Sequence, residues 1–175
     1  SPKYFDDYAD LLLGELFPRP PYEEHYLTLG ARLRNESSLA VGIRLYEEAT
    51  NPEVHARDEY VKSIAEISVA IERVRHRYPQ SCLVLFCTHR SPLLEQLALP
   101  PDTIYATRDD GYTSTPQCLW LLAQCRHHLF TNSTYYWWGA WLSAAVHGGV
   151  KAGQLIMAAD NFVNRDCLCE EWEEF

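Results

Sequence analysis

A polar turn between a short apolar strand and a helix is the part of this sequence best suited to chemistry. The run 128–131 predicts a strand, a helix follows from Tyr135, and Asn132, Ser133 and Thr134 lie between them. A helix that begins directly at the carboxyl end of a strand presents free backbone N–H groups and the positive end of its dipole. With two hydroxyls beside it, this junction predicts an anion site suited to a phosphate. The alternative is that the serine and threonine are ordinary helix N-caps.

An arginine ends another predicted strand, 39–44. Arginine is rarely fully buried without a partner, and the carboxyl ends of parallel strands lie at one edge of a sheet. Arg44 would therefore lie at the same edge as Asn132 to Thr134, and together they predict a clamp for a pyrophosphate. The alternative is an ion pair between Arg44 and Glu47 or Glu48.

Other reactive side chains are less well arranged. The segment 108–111 contains two neighbouring aspartates but ends in glycine, which favours a turn over a metal site. The pair 167–169 has no second cysteine pair, and the histidines of 127–128 point to opposite faces of a strand, so a zinc site is not predicted. Cys87 and His89 lack a third group that would orient a thiol–base pair.

The spacing of apolar residues predicts two helices followed by alternating strands and helices. Helices are predicted over 4–17, 22–36, 58–78, 115–126 and 135–147, and strands over 39–44, 82–87, 103–107, 128–131 and 154–158. This alternation favours an α/β fold, a Rossmann-like parallel sheet with helices on both faces. We assign residues 1–36 to an N-terminal helical segment and residues 37–175 to the Rossmann-like domain.

The aromatic run from Tyr135 to Trp141 is predicted to be mainly structural. Trp138 and Trp141 are three residues apart, so they share one face of the predicted helix. We expect both indole rings in the core, where truncation of Trp138 to alanine would cost roughly 3–5 kcal/mol.

Charge and composition exclude several classes of protein. The chain of 175 residues has 24 acidic and 15 basic residues, and this acidic balance disfavours nucleic-acid binding. No apolar run approaches the roughly 18–20 residues of a membrane span, although peripheral membrane association stays open. The six cysteines have no disulfide-scaffold spacing, so we expect a reduced, cytoplasmic protein. The acidic C-terminal tail is expected to be a solvated terminus.

The segment 125–142 resembles the signature of the alpha-1,2-fucosyltransferase family, glycosyltransferase family 11. It reads Cys-Arg-His-His-Leu-Phe-Thr-Asn-Ser-Thr-Tyr-Tyr-Trp-Trp-Gly-Ala-Trp-Leu. The family pattern is Cys-Lys-His, then apolar residues, then Asn-Ser-Ser/Thr-Phe-Ser-Trp-Trp-Gly-Ala-Trp-Leu. Weaker matches at 4–5, 41–44, 59–60 and 85–88 follow the family's order. The resemblance covers nearly all of the chain and the later part of the family.

The resemblance implies the donor-binding half of a two-domain, GT-B type glycosyltransferase. Such an enzyme would transfer fucose from GDP-fucose to a hydroxyl of an oligosaccharide acceptor, with inversion and without a metal or other cofactor. Arg44 would hold the beta-phosphate of the donor, and Glu47 is a positional candidate for the general base. The other donor contacts would come from Thr88, Asn132, Ser133, Thr134 and Tyr135.

The sequence also departs from the family pattern. The family's His-x-Arg-Arg-Gly-Asp is replaced over 42–47, where only Arg44 matches an arginine. Thr88 and His89 stand where the family has acidic residues, and Cys118 stands where an aspartate usually opens the next helix. These changes keep a second hypothesis open, a degenerate nucleotide-sugar fold that acts as a binding or interaction module.

Overall fold

Six parallel strands form one sheet in the order β3-β2-β1-β4-β5-β6. The computed structural model describes residues 2–45, 61–162 and 164–175. The strands are β1 (Ser38–Gly42), β2 (Cys82–Phe86), β3 (Ile104–Ala106), β4 (His127–Phe130), β5 (Ile156–Ala158) and β6 (Glu173–Glu174). The helices are α1 (Ala9–Leu16), α2 (Glu24–Asn35), α3 (Ile64–Arg77), α4 (Thr115–Gln124), α5 (Thr134–Leu142) and α6 (Ala144–His147).

The strand order places a topological switch point between β1 and β4. The chain runs outward from β1 through β2 to β3, returns to the other side of β1 to form β4, and continues outward through β5 to β6. In open parallel sheets, ligands bind beyond the carboxyl ends of the strands at such a point. The Rossmann-like α/β fold predicted from the sequence is confirmed.

Helices cover both faces of the sheet because strand side chains alternate between the faces. On one face, Leu39 and Val41 of β1 pack with Ile67 and Ile71 of α3. The opposite face lies against α2, α4 and α5, whose buried side chains include Leu33 and Trp120. Helix α5 packs closely on α4, since a Cβ at Gly139 would lie 2.7 Å from Leu122. No helix in the described part of the chain is both long and apolar enough to cross a bilayer.

Several predicted boundaries differ from the observed ones. The first helix begins at Ala9, after short 3-10 turns, and not at residue 4. Helix α3 begins at Ile64 because Ser63 and Glu66 form a capping box there, whereas the predicted start, 58–60, lies outside the described residues. The helix predicted over 135–147 is interrupted at Ser143, which separates α5 from α6.

The acidic tail is not simply a solvated terminus. Its residues Glu173–Glu174 form β6, which extends the sheet beside β5. Arg73 and Arg77 of α3 contact the Glu173 carboxylate at 2.6 and 2.7 Å. Backbone pairing and two ion pairs therefore hold the two glutamates of β6 in the sheet.

The buried indole of the aromatic run is Trp137, and the expectation for Trp138 and Trp141 was wrong. Trp137 is only 5% exposed, and its Nε1 donates a hydrogen bond to the Cys167 carbonyl at 2.7 Å. Trp138 and Trp141 do share a helix face, but that face is half-buried and packs against Phe5 of the N-terminal segment. Tyr136 and Ala140, which lie with Trp137 on the inner side of α5, are buried.

Candidate functional site

A pocket of about 370 Å³ lies at the carboxyl ends of β1, β2 and β3, beside the start of α5. The end of β1 contributes Arg44, the end of β2 contributes Thr88, and Arg108 follows β3. Ser133 and Tyr135 complete the side next to α5. The pocket therefore occupies the part of the sheet where the strand order predicts a ligand.

Tyr136 joins the three elements that surround this pocket. Its hydroxyl lies 2.9 Å from the Phe86 carbonyl and 3.2 Å from the Ile43 carbonyl, so it can donate at the ends of β2 and β1. Its ring covers Gly42, where a Cβ would lie 2.6 Å from the aromatic carbons. Only glycine permits this approach, and the start of α5 is consequently held against both strands.

Of the three residues predicted to bind phosphate at the start of α5, Asn132 to Thr134, only Ser133 lines the pocket. Ser133 is the N-cap of α5, since its Oγ accepts a hydrogen bond from Tyr136 N–H at 3.5 Å, and it also lines the pocket. Asn132 is buried, and its amide nitrogen lies 3.3 Å from the Asn161 carbonyl. Thr134 is exposed and is not among the residues that line the pocket. The N-cap alternative and the pocket role thus coexist in one residue, Ser133.

Arg44 is held at the switch point through its backbone. Its N–H donates to the Thr131 hydroxyl at 2.7 Å, and Thr131 N–H donates to the Gly42 carbonyl at 3.0 Å. These bonds tie the ends of β1 and β4 together and leave the arginine side chain exposed at the pocket. The prediction that Arg44 and the turn before α5 share one sheet edge is confirmed by this register, whereas Glu47 lies outside the described residues.

The segment after β3 forms the predicted turn. Arg108 N–H donates to the Thr88 carbonyl at 3.0 Å, and Tyr112 N–H donates to the Thr107 carbonyl at 2.9 Å. Gly111 closes the turn with φ of 90°, a left-handed conformation that favours glycine. Within the described part of the chain, no three His, Cys, Asp or Glu side chains are grouped as metal ligands would be.

The Tyr135 phenol and the Cys118 thiol of the pocket are neutral at physiological pH. Burial raises the pKa of Tyr135, whose hydroxyl donates to the Thr115 carbonyl at 2.8 Å, and burial likewise raises the pKa of Cys118. The Cys87 thiol lies 3.1 Å from the backbone carbonyl of His89. Among the described residues that line the pocket there is no Asp or Glu, and the formal charges of these residues are those of the two arginines.

Residues 26–174 match the family model described as Glycosyl transferase family 11. The chain belongs to this family. The match spans all six strands and confirms the resemblance carried by the segment 125–142. No curated protein and no solved structure matches the chain. Family membership makes the chain a glycosyltransferase, which implies a nucleotide-sugar donor and a sugar acceptor.

Sequence reasoning located Arg44 but missed Arg108, Tyr136 and Gly42. Arg108 was considered only as part of a turn, although it follows a predicted strand of the same sheet. The position of Arg108 in the sequence could have identified it, because a basic residue just after β3 lies at the same edge of the sheet as one just after β1. The close contact between Gly42 and Tyr136 has no local signal, because the two residues are 94 positions apart.

Proposed function

We propose that this glycosyltransferase binds GDP-fucose in the pocket at the carboxyl edge and transfers fucose to a hydroxyl of an oligosaccharide. The observation that carries the proposal is the composition of the pocket, where two arginines and the start of α5 meet. A diphosphate carries the opposite charge, and arginine binds phosphate oxygens with a geometrically matched pair of N–H donors. The choice of fucose and guanosine rests on the family resemblance.

The proposed reaction is a single displacement with inversion. The acceptor oxygen forms a bond to the anomeric carbon while the bond from that carbon to the beta-phosphate oxygen breaks and its electron pair leaves with GDP. Negative charge grows on the beta-phosphate as this bond breaks. Arg44 supports the reaction if it holds that phosphate, because an ionised donor aimed at developing charge stabilises the transition state without a metal.

The acceptor hydroxyl also loses a proton, which requires a general base. No Asp or Glu is present among the described lining residues, and the positional candidate, Glu47, lies outside the described part of the chain. In a GT-B arrangement, this domain would supply the donor side and a second domain would supply acceptor contacts.

The free thiols of all six cysteines agree with the proposed cytoplasmic location.

A second candidate function is a binding module that retains the donor fold without transferring sugar. It is favoured by Gly42, Leu45 and Cys118, which replace residues of the family pattern. Gly42 and Leu45 lie within two positions of Arg44 in the chain, and Cys118 lines the pocket. Gly42 has a structural role, since the absence of a side chain there makes room for the ring of Tyr136. The two candidates share donor binding and differ only in chemistry.

Calorimetry and a transfer assay on the same protein separate the candidates. The protein is titrated with GDP-fucose, GDP-mannose, GDP and UDP, and is then incubated with GDP-fucose and a panel of oligosaccharides that is analysed by mass spectrometry. We expect GDP and GDP-fucose to bind more tightly than UDP and one or more oligosaccharides to gain a fucose. Donor binding without transfer in the full-length protein would favour the module, and the absence of binding to any guanosine diphosphate would contradict the proposal.

A further inference from the structure

We propose that Arg108 is a second phosphate-binding residue, which holds the donor diphosphate from the side opposite Arg44. This inference rests on the proposed function, because it assumes that a nucleoside diphosphate occupies the pocket. Both side chains are exposed, and both line the same pocket. A diphosphate has two charged groups, and two forked guanidinium groups can bind them separately.

The strand order places the two arginines on either side of a common centre. Arg44 follows β1 and Arg108 follows β3, with β2 between them. Neighbouring strands are about 4.8 Å apart, so the backbones of these residues are separated laterally by roughly 10 Å. Each long side chain needs to cover only about half of this distance to meet the other above Thr88, which lies at the end of the central strand.

The backbone around Arg108 is fixed by hydrogen bonds on both sides. Its N–H is bonded to the Thr88 carbonyl, and the turn that it begins is closed from Tyr112 N–H to the Thr107 carbonyl. The base of the side chain is therefore attached to the sheet itself. Less conformational entropy is lost on binding when a group is already positioned in this way.

The two aspartates that follow Arg108 are engaged by another residue. Arg90 donates to the Asp110 carboxylate through Nε at 3.0 Å and through a second guanidinium nitrogen, and the Thr107 hydroxyl donates to the same carboxylate at 2.5 Å. Asp109 accepts from Arg90 N–H at 2.7 Å and lies 3.1 Å from His89 Nδ1.

Arg90 is itself fixed, since its guanidinium lies 4.0 Å from the centre of the Tyr105 ring. With both neighbouring carboxylates directed to Arg90, Arg108 forms no ion pair with any residue in the described part of the chain. The acidic turn thus holds Arg90 while the positive charge of Arg108 remains available to the pocket.

Position along the sheet assigns a phosphate to each arginine. In sheets of this order, the phosphates lie near the start of the helix at the switch point and the nucleoside extends toward the outer strands. Arg44 is next to the switch point, whereas Arg108 is two strands farther out. Arg108 therefore contacts the phosphate nearer the nucleoside, and Arg44 contacts the phosphate nearer the sugar.

Calorimetric titration with GDP, GMP and guanosine tests this assignment. We expect Arg108→Ala to weaken the binding of both GDP and GMP roughly 10- to 100-fold, as loss of a charge-assisted contact predicts, and to leave guanosine binding unchanged. Arg108→Lys should recover part of the affinity, because an ammonium group cannot grip two oxygens at once. Arg75→Ala on α3 is the matched control, since it removes the same charge from a helix end that lies away from the pocket.

The outcomes distinguish this inference from the proposed function. If the wild-type protein binds GDP and Arg108→Ala binds it equally well, the inference is overturned and the proposed function stands. An equal loss for guanosine and GDP would also overturn it, because Arg108 would then contact the nucleoside. If the wild-type protein binds neither GDP nor GMP, the proposed function fails and the inference fails with it. Melting temperatures of all variants confirm that each protein is folded.

Discussion

The two edges of the sheet use their polar side chains in opposite ways. At the amino edge, the Gln154 amide donates to the Arg126 carbonyl at 2.7 Å and to the Ser143 hydroxyl at 2.9 Å, and its own carbonyl accepts from Gly149 N–H. Arg34 donates to the buried Gln124 side chain at 2.8 Å. At the carboxyl edge, Arg44 and Arg108 direct charged side chains toward an open pocket.

This difference indicates where the fold ends and the binding site begins. Buried polar groups that satisfy one another stabilise and specify a structure, and they have no capacity left for a ligand. Arg44 and Arg108 of the carboxyl edge are held by backbone hydrogen bonds, which fix their position, and both side chains are exposed at the pocket. The amino edge is accordingly expected to govern stability, and the carboxyl edge to govern binding.

The largest expected effect on stability is at Trp137, in the helix whose start faces the pocket. Trp137→Ala removes a buried ring and its hydrogen bond to Cys167, so we expect a loss of roughly 3–5 kcal/mol in the free energy of unfolding. Trp138→Ala is the matched control and should cost clearly less, because that ring is only half-buried. Urea denaturation measures both variants, and equal losses would contradict the described packing of α5.

Acid should destabilise the protein through the amino edge. Burial, with nearby Arg126 as a smaller cause, lowers the pKa of His127 to about 4, and its Nδ1 accepts a hydrogen bond from Leu155 N–H at 3.0 Å. Because the pKa is about 6.5 in the unfolded chain, the unfolded state binds the proton more readily. Neutral His127 therefore stabilises the folded state fully above pH 6.5. This stabilisation, about 3 kcal/mol in the free energy of unfolding, is lost as the pH falls toward 4.

His127→Asn supplies the control for this effect. An asparagine oxygen can accept the hydrogen bond from Leu155 N–H but does not titrate in this range. Urea denaturation at several pH values between 7 and 4 should therefore show a shallower decline in the variant. An identical decline in both proteins would mean that His127 is not responsible.

Much of the fold could be predicted from the sequence, because short apolar runs indicate strands and apolar residues at helical spacing indicate helices. The strand β6 could not, since Glu173–Glu174 has no apolar pattern and is ordered by β5 and by two arginines of α3. Helical spacing showed that Trp138 and Trp141 share a face, but the spacing alone does not show which face meets the sheet.

The candidate site could be predicted in part for a similar reason. Arg44 ends an apolar strand, so its edge follows from the parallel topology. Arg108 lies in a charged turn, where sequence patterns predict only solvent exposure. Its role depends on bonds between distant residues, namely Arg90 with Asp110 and Arg108 with Thr88.

The smallest expected effect concerns Arg90, which keeps two carboxylates away from Arg108. Arg90→Ala should free Asp110 to compete for Arg108 and weaken GDP binding by up to about 5-fold, the scale of an exposed ion pair. Calorimetry at low ionic strength measures this effect, which should diminish as added salt screens the charges. Unchanged GDP affinity in Arg90→Ala would show that Asp110 has no influence on the pocket, because the backbone N–H of residue 90 still binds Asp109 in this variant.

The comparison of GDP with guanosine in wild type, Arg44→Ala and Arg126→Ala tests most directly whether the carboxyl edge binds a diphosphate. The two variants lose the same charge at opposite edges of the sheet, and Arg44→Ala keeps the backbone bond to Thr131. We predict that Arg44→Ala weakens GDP binding by about 1.5–3 kcal/mol, or roughly 10- to 150-fold, and leaves guanosine binding unchanged. Arg126→Ala should bind both ligands as the wild type does. Equal loss of GDP affinity in the two variants, or no preference of the wild type for GDP over guanosine, would contradict the account.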